Sequence, residues 1–341
     1  MQSNETFATV MTRPGTLAES QFPDSEPAFS RLAGNSPALH HAIALARAVA
    51  PAESTVLITG ESGSGKELIA QGIHESSRRA NAPFVAINCA TLPESLQSSE
   101  LFGHAKGAFT GATQDRPGLF EAAHGGTLFL DEVAELAASA QAALLRVVQE
   151  GMIVRLGERR ERKVDVRIIA ATHRDLDAAI QTGAFRTDLF FRLNVVNIAM
   201  PALRERENDV LLLAQQFIAE YNRKMNKAVA GLHPEVTRLF LDYAWPGNVR
   251  ELRNVIESAV LLARSELIGL GDLPACLLKR IKAPESNPAR PAARRWAEPD
   301  WRMKITDALL KTQGRRDQTA ELLGMSRTTL WRKMKALGLS D

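Results

Sequence analysis

Cysteine is scarce in this chain of 341 residues: Cys89 and Cys276 are the two thiols. Their separation fits no metal-ligand spacing, so they read as reduced thiols in a reducing compartment. Long hydrophobic runs are missing too. No stretch approaches the roughly 18 apolar residues of a membrane span. The opening segment, Met1 to Arg31, lacks the basic-then-apolar pattern of a secretory signal. Together these absences predict a cytoplasmic protein with no membrane span. Net charge is also small, only +3, so the chain as a whole is no polycation. What matters is where its positive charge sits. There is no internal repeat.

What is present falls into segments. Residues 1–30, rich in Ser, Thr, Pro, Glu and Ala, predict a flexible tail. Apolar runs at Thr55–Thr59, Phe84–Asn88, Thr127–Leu130, Val166–Ala171 and Val195–Ala199 predict buried strands. The stretches Glu67–Arg79, Gln141–Glu150 and Leu176–Thr182 between them are helical in pattern. Strands alternating with helices predict an α/β fold with a largely parallel sheet. Asp209–Tyr221, Pro234–Tyr243 and Val249–Leu262 then predict a small all-α piece. Pro284, Pro288, Pro291 and Pro299 break any regular element over 281–300, the best linker candidate, and the linker between the modules is assigned to 266–300. Helical periodicity returns over 301–341.

The first chemical motif is Gly60-Glu61-Ser62-Gly63-Ser64-Gly65-Lys66, set between the apolar run Val56–Thr59 and a helical pattern. Strand, glycine-rich loop and helix form the context in which backbone N–H groups cradle phosphate oxygens. Lys66 adds a point charge for the β/γ-phosphates, and the helix N-terminus adds its dipole. The Ser or Thr that usually follows the lysine, a direct Mg²⁺ ligand, is replaced by Glu67. A second motif, Leu128-Phe129-Leu130-Asp131-Glu132, ends an apolar strand in two carboxylates. Delivered at the carboxyl edge of a parallel sheet, they would lie beside the phosphate loop. Asp131 is then the candidate for holding Mg²⁺, and Glu132 for orienting and deprotonating the attacking water. The pair could otherwise cap the next helix.

The loop Gly60–Glu67, with its final Glu, resembles that of the sigma-54-interacting AAA+ ATPases. Glu100–Ala112, read ELFGHAKGAFTGA, is similar to that family's defining segment. Phe185–Asn194 (FRTDLFFRLN) and Trp245–Asn254 (WPGNVRELRN) match as well. The resemblance runs from about residue 31 to 265. It implies a P-loop AAA+ parallel-sheet domain with an α/β part over 31–205 and a helical lid over 206–265. It also implies ATP and Mg²⁺ as cofactors and ATP hydrolysis coupled to remodelling of the sigma-54 RNA polymerase holoenzyme.

The same resemblance assigns further residues. Gly107, Ala108, Phe109, Thr110, Gly111 and Ala112 would form the loop that contacts sigma-54, with Phe109 and Thr110 touching it. The residues alone also allow a turn in which Phe109 tucks back into its own core. Asn88 resembles a switch residue that holds Glu132 away from water, or simply closes a strand. Thr172 and His173 occupy the sensor strand's end. Arg186 and Arg192 fall in the segment that supplies arginine fingers to a neighbouring subunit, though each could equally pair with acids such as Asp188. Arg250 resembles the lid's sensor arginine, or else pairs with Glu251 or Glu257.

Residues 301–341 carry nine Lys/Arg against four Asp/Glu. Ser326 is placed to cap a basic helix bearing Arg327, Thr328, Thr329, Arg332 and Lys333 on its polar side, a composition suited to base edges and phosphates in the major groove. The segment resembles the Fis-type helix-turn-helix of many sigma-54 activators; a basic dimerisation pair is the alternative. The reading that results is an ATP-driven activator that binds enhancer DNA and forms a homo-oligomer, from dimer to hexameric ring, with hetero-oligomers left open. About 30 residues precede the ATPase, too few for a folded sensor. That predicts a stand-alone activator controlled by its expression level or by a negative regulator acting in trans.

Overall fold

The apolar runs that alternate with helical patterns assemble into one sheet. The computed structural model describes residues 27–109 and 111–282, together with Thr312, Arg316, Gln318 and Thr319. Five strands are parallel throughout: β1 (Val56–Thr59), β2 (Phe84–Asn88), β3 (Thr127–Asp131), β4 (Arg167–Thr172) and β5 (Val196–Ala199), in the order β2-β3-β4-β1-β5. The inner strands β3 and β4 are apolar almost without interruption because both faces are covered. Alternate residues feed two cores. Leu57, Leu128, Leu130, Ile168 and Ala170 enter one. Val56, Ile58, Phe129, Ile169 and Ala171 enter the other.

Helices α1 (Pro37–Val49), α2 (Lys66–Glu75), α3 (Glu94–Phe102), α4 (Ala138–Glu150), α5 (Leu176–Gln181) and α6 (Thr187–Leu193) accompany the sheet. Arg167, buried in β4, donates to the carbonyls of Val49 (2.9 Å) and Ala50 (2.6 Å), satisfying the end of α1. The helix expected over Glu67–Arg79 stops at Glu75. There the Ser77 hydroxyl donates to the His74 carbonyl (2.7 Å) and accepts from Arg79 N (3.0 Å), offering the backbone an alternative to the helix.

Helices α7 (Asp209–Met225), α8 (Pro234–Asp242) and α9 (Asn248–Leu262) bury Leu213, Phe217, Phe240, Trp245, Leu252 and Ile256 in a core of their own. The expected boundaries shift at two places. The stretch assigned to a linker from residue 266 is ordered through α10 (Ala275–Lys282), since Ile268, Leu273 and Leu277 join that same core. The tail expected over residues 1–30 ends in a packed turn, with Ala28 and Phe29 buried and Phe29 against Gly72. The chain divides into two compact units, Met1–Arg280 and Ile281–Asp341. Among the described residues, no helix is long and apolar enough to cross a membrane. The DNA-recognition residues expected at Ser326, Arg327, Thr328, Thr329, Arg332 and Lys333 lie outside the described residues, as does Thr110.

Candidate active site

The parallel register brings the chemistry to one edge. Thr59 pairs with Thr172, and Asn88 with Asp131, so these strands end together. Gly60 leaves β1 and its N–H reaches the Thr172 carbonyl at 3.2 Å. The loop then turns through Gly63 (φ 77°) and Gly65 (φ 103°), left-handed conformations that favour glycine. At Gly63 a β-carbon would also stand 2.5 Å from the Gly247 carbonyl oxygen. Lys66 opens α2 and is buried. Its Nζ donates to the carbonyls of Gly60 (2.9 Å) and Glu61 (3.3 Å) and lies 3.6 Å from Glu132 Oε1.

The two carboxylates at the end of β3 have different surroundings. Asp131 Oδ2 accepts from Asn88 Nδ2 at 3.1 Å. Burial and then the neighbouring Glu132 charge push the Asp131 carboxyl above its ordinary value, with Lys66 opposing. Glu132 adopts a left-handed backbone (φ 54°), and its Oε2 accepts from the His173 backbone N–H (3.1 Å). The same oxygen lies 2.6 Å from His173 Nδ1. Burial pushes the Glu132 carboxyl up, but hydrogen bonds from His173 and the charge of Lys66 outweigh it and hold it below the usual value.

The Asn88 side chain, expected to act on Glu132, reaches Asp131 in this structure. The β2–β3 register sets Asn88 directly beside Asp131, and His173 takes the place on Glu132. Cys89, next to Asn88, is buried, and its thiol is pushed up to about 12 by burial and then by the Asp131 charge. It is inert at neutral pH.

The remaining candidates divide by location. Thr172 is fully buried; its hydroxyl accepts from Arg174 N at 3.0 Å. Arg250 Nη1 donates to Ser62 Oγ at 2.9 Å, which brings the lid to the phosphate loop. The acids considered as its partners are engaged elsewhere: Glu251 accepts from Tyr243 and Gly247, and Glu257 from Tyr221. Arg186 occupies the position before α6 on the surface without capping it, its guanidinium paired with Asp188 at 2.7 Å. Arg192 is exposed later in the same helix.

The loop from Gly107 to Ala112 is closed by Gly107 N–H to the Ala112 carbonyl (2.9 Å) and Ala112 N–H to the Phe109 carbonyl (3.0 Å). Phe109 remains 38% exposed, its ring edge-on to His104 with centroids 5.0 Å apart. It rests on the surface and does not enter the core. A hairpin of Met152–Val154 with Glu161–Lys163 supports this loop, Gly157 packing against Ala108.

Sequence reasoning missed Arg204, Arg206 and Asn248, which bind the phosphate loop from the lid side. Asn248 lies inside the WPGNVRELRN segment, but no spacing rule marks it as a loop contact.

Comparison with known proteins matches residues 32–199 to the family described as "Sigma-54 interaction domain". Residues 204–290 match "AAA+ ATPase lid domain", and residues 302–337 match "Bacterial regulatory protein, Fis family". The transcriptional regulatory protein ZraR of Escherichia coli (strain K12) is 46% identical over 304 residues, covering 89% of this chain and 68% of that protein. The DNA-binding transcriptional regulator NtrC of the same strain is 42% identical over 327 residues, covering 90% of this chain and 70% of NtrC. The crystal structure of NtrX from Brucella abortus in complex with ATP superposes with a TM-score of 0.67 at 36% identity, over 91% of this chain and 69% of NtrX.

Proposed function

Because the chain belongs to the sigma-54-dependent transcriptional activators, AAA+ ATPases that carry a Fis-type helix-turn-helix, we propose that it spends ATP to convert a closed sigma-54 promoter complex into an open one. One observation carries the site assignment: Lys66 and Glu132 meet at 3.6 Å at the sheet edge where the glycine-rich loop leaves β1. In this reading the loop residues Gly60, Glu61, Ser62, Gly63, Ser64, Gly65, Lys66 and Glu67 form the ATP site, with Thr172 and Arg250 at its borders.

The half-buried Asp131, whose charge is disfavoured by burial and by Glu132, suits a divalent cation that would relieve both. Magnesium held there would neutralise charge on the β- and γ-phosphate oxygens. Glu132, kept ionised by His173 and Lys66, accepts the proton of the attacking water. Asn88 orients Asp131. Arg186 and Arg192 reach a neighbouring subunit's nucleotide, which makes hydrolysis depend on ring assembly, dimer to hexamer. Exposed Phe109, with Thr110 beside it, touches sigma-54. The domain assignment follows: an α/β part over 31–205, a lid from 206 through α10, and a helix-turn-helix over 301–341 that reads enhancer DNA.

The test is open-complex formation on a sigma-54 promoter with purified holoenzyme. Full activity with ATP and none with a non-hydrolysable analogue is expected. Open complexes formed equally with the analogue would sink the coupling.

A further inference from the structure

Four successive residues of the phosphate loop are each held by the segments that lead into the lid. Glu61 accepts from Arg204 through both oxygens (2.8 and 2.6 Å) and from Asn248 Nδ2 (3.0 Å). The Ser62 carbonyl accepts from Asn248 Nδ2 (3.1 Å) and its hydroxyl from Arg250 (2.9 Å). The Gly63 carbonyl accepts from Val249 N–H (3.1 Å). The Ser64 carbonyl accepts from the buried Arg206 guanidinium, whose Nε also donates to the Pro201 carbonyl at 3.1 Å.

Asn248 is the centre of this set. It is fully buried, opens α9, and adopts a left-handed backbone (φ 51°) that Asn tolerates better than most residues. Its Oδ1 accepts from Leu203 N–H at 2.7 Å while its Nδ2 serves both Glu61 and Ser62. That combination needs a short carboxamide: Asp has no donor, and Leu has neither donor nor acceptor.

The position of Glu61 makes the arrangement informative. A carboxylate in a loop meant for a triphosphate repels it unless it is paired elsewhere. Arg204 first, with Asn248, holds the Glu61 carboxyl below its ordinary value. The charge therefore serves the lid contact and is not aimed at the nucleotide.

We propose that Asn248 is a positioning residue for ATP binding: by fixing Glu61 and Ser62 to the base of the lid, it makes the phosphate loop and the lid move as one body. Phosphate occupancy is then felt by the lid through the loop's own backbone, in parallel with the Arg250 side chain. This rests on the reading of Gly60–Lys66 as the ATP site.

The experiment compares the full chain with Asn248→Asp and Glu61→Gln. Steady-state ATP hydrolysis gives KM and kcat, and hydrogen exchange with and without a non-hydrolysable ATP analogue gives protection of residues 60–66 and 248–262. Asn248→Asp is expected to raise KM at least tenfold with kcat within about threefold of wild type. The analogue should protect both segments in wild type; in the variant residues 60–66 should stay protected while protection of residues 248–262 falls to the part that Arg250 conveys. Glu61→Gln, which removes the charge at the accessible end of the same contact, is expected to raise KM about threefold. It carries the test alone if Asn248→Asp does not fold. An active wild type with unchanged KM and unchanged lid protection in the folded variants would overturn this inference alone. A wild type that neither binds nor hydrolyses ATP would overturn the reading of the loop and this inference with it.

Discussion

His173 Nδ1 stands 2.6 Å from Glu132 Oε2, and the His173 backbone N–H reaches the same oxygen at 3.1 Å. The other carboxylate oxygen faces Lys66 Nζ at 3.6 Å. The proposed base is thus fixed from two sides while its backbone sits in a left-handed conformation, an arrangement that persists only where the surroundings impose it. Glu132→Gln keeps the shape, and its carbonyl oxygen can still accept from His173, but it loses the charge that faces Lys66 and cannot take a proton. Turnover is expected to fall by about 10²–10⁴-fold, with ATP affinity within a few-fold of wild type. Equilibrium binding of a fluorescent ATP analogue beside a phosphate-release assay checks both, and undiminished phosphate release would remove Glu132 from the role.

Phe109 separates engagement of the partner from ATP chemistry. Its ring is 38% exposed and leans on His104, itself 2.8 Å from the Ser99 hydroxyl. Most of the ring's surface is covered although its outer face is open, so Phe109→Ala is expected to cost on the order of 1–3 kcal/mol of stability, less than a fully buried Phe. ATP hydrolysis should continue while co-sedimentation with sigma-54 and open-complex formation are lost. Retention of both would show that the loop acts elsewhere.

Arg186 can be tested in mixed assemblies. Its guanidinium pairs with Asp188 on the surface of its own subunit, a contact that a ring neighbour's nucleotide would have to displace. Arg186→Ala is expected to lower hydrolysis by about 10³-fold, at the low end of arginine-finger effects. Mixing it with Glu132→Gln should restore part of the activity, since each protein supplies what the other lacks. Lack of any restoration would argue against a role in trans.

Sequence patterns reveal the parallel sheet because its inner strands are uninterrupted apolar runs, and they reveal Lys66, Asp131 and Glu132 because each ends or follows such a run. The pairings within the site are another matter. Asn88 meets Asp131 through strand register, which no local pattern encodes. The contacts of Glu61 with Arg204 and of Asn248 with Ser62 join residues far apart in sequence, so they appear only once the lid has packed. Ile268, Leu273 and Leu277 belong to the lid core, but Gly269, Gly271 and Pro274 break the stretch into pieces too short to show a period, and α10 is only eight residues long, which is why that stretch reads as linker. Helices α3 and α6 are short and weakly periodic, and they too escape the pattern.

The hairpin beneath the Phe109 loop offers a pH-dependent test. Arg155 donates to both oxygens of Glu121, each at 2.8 Å, and the hairpin backbone joins the loop's base through Ala105 N–H to the Leu156 carbonyl at 2.9 Å. The Arg155 hydrogen bonds hold the Glu121 carboxyl below its ordinary value near 4.5, against the opposing effect of burial. A carboxyl whose folded value is depressed contributes stability that is fully present above the unfolded value and is lost as pH falls through the folded one. Glu121→Gln is therefore expected to lower stability by about 1 kcal/mol at pH 7, in the range of a partly exposed bidentate pair. The gap in thermal midpoint should stay constant down to about pH 5 and close as pH falls below the ordinary carboxylate value and through the depressed one. Melting curves of both proteins between pH 7 and pH 3 measure it. A gap that did not narrow in acid would mean that Glu121 acts through packing and not through its charge.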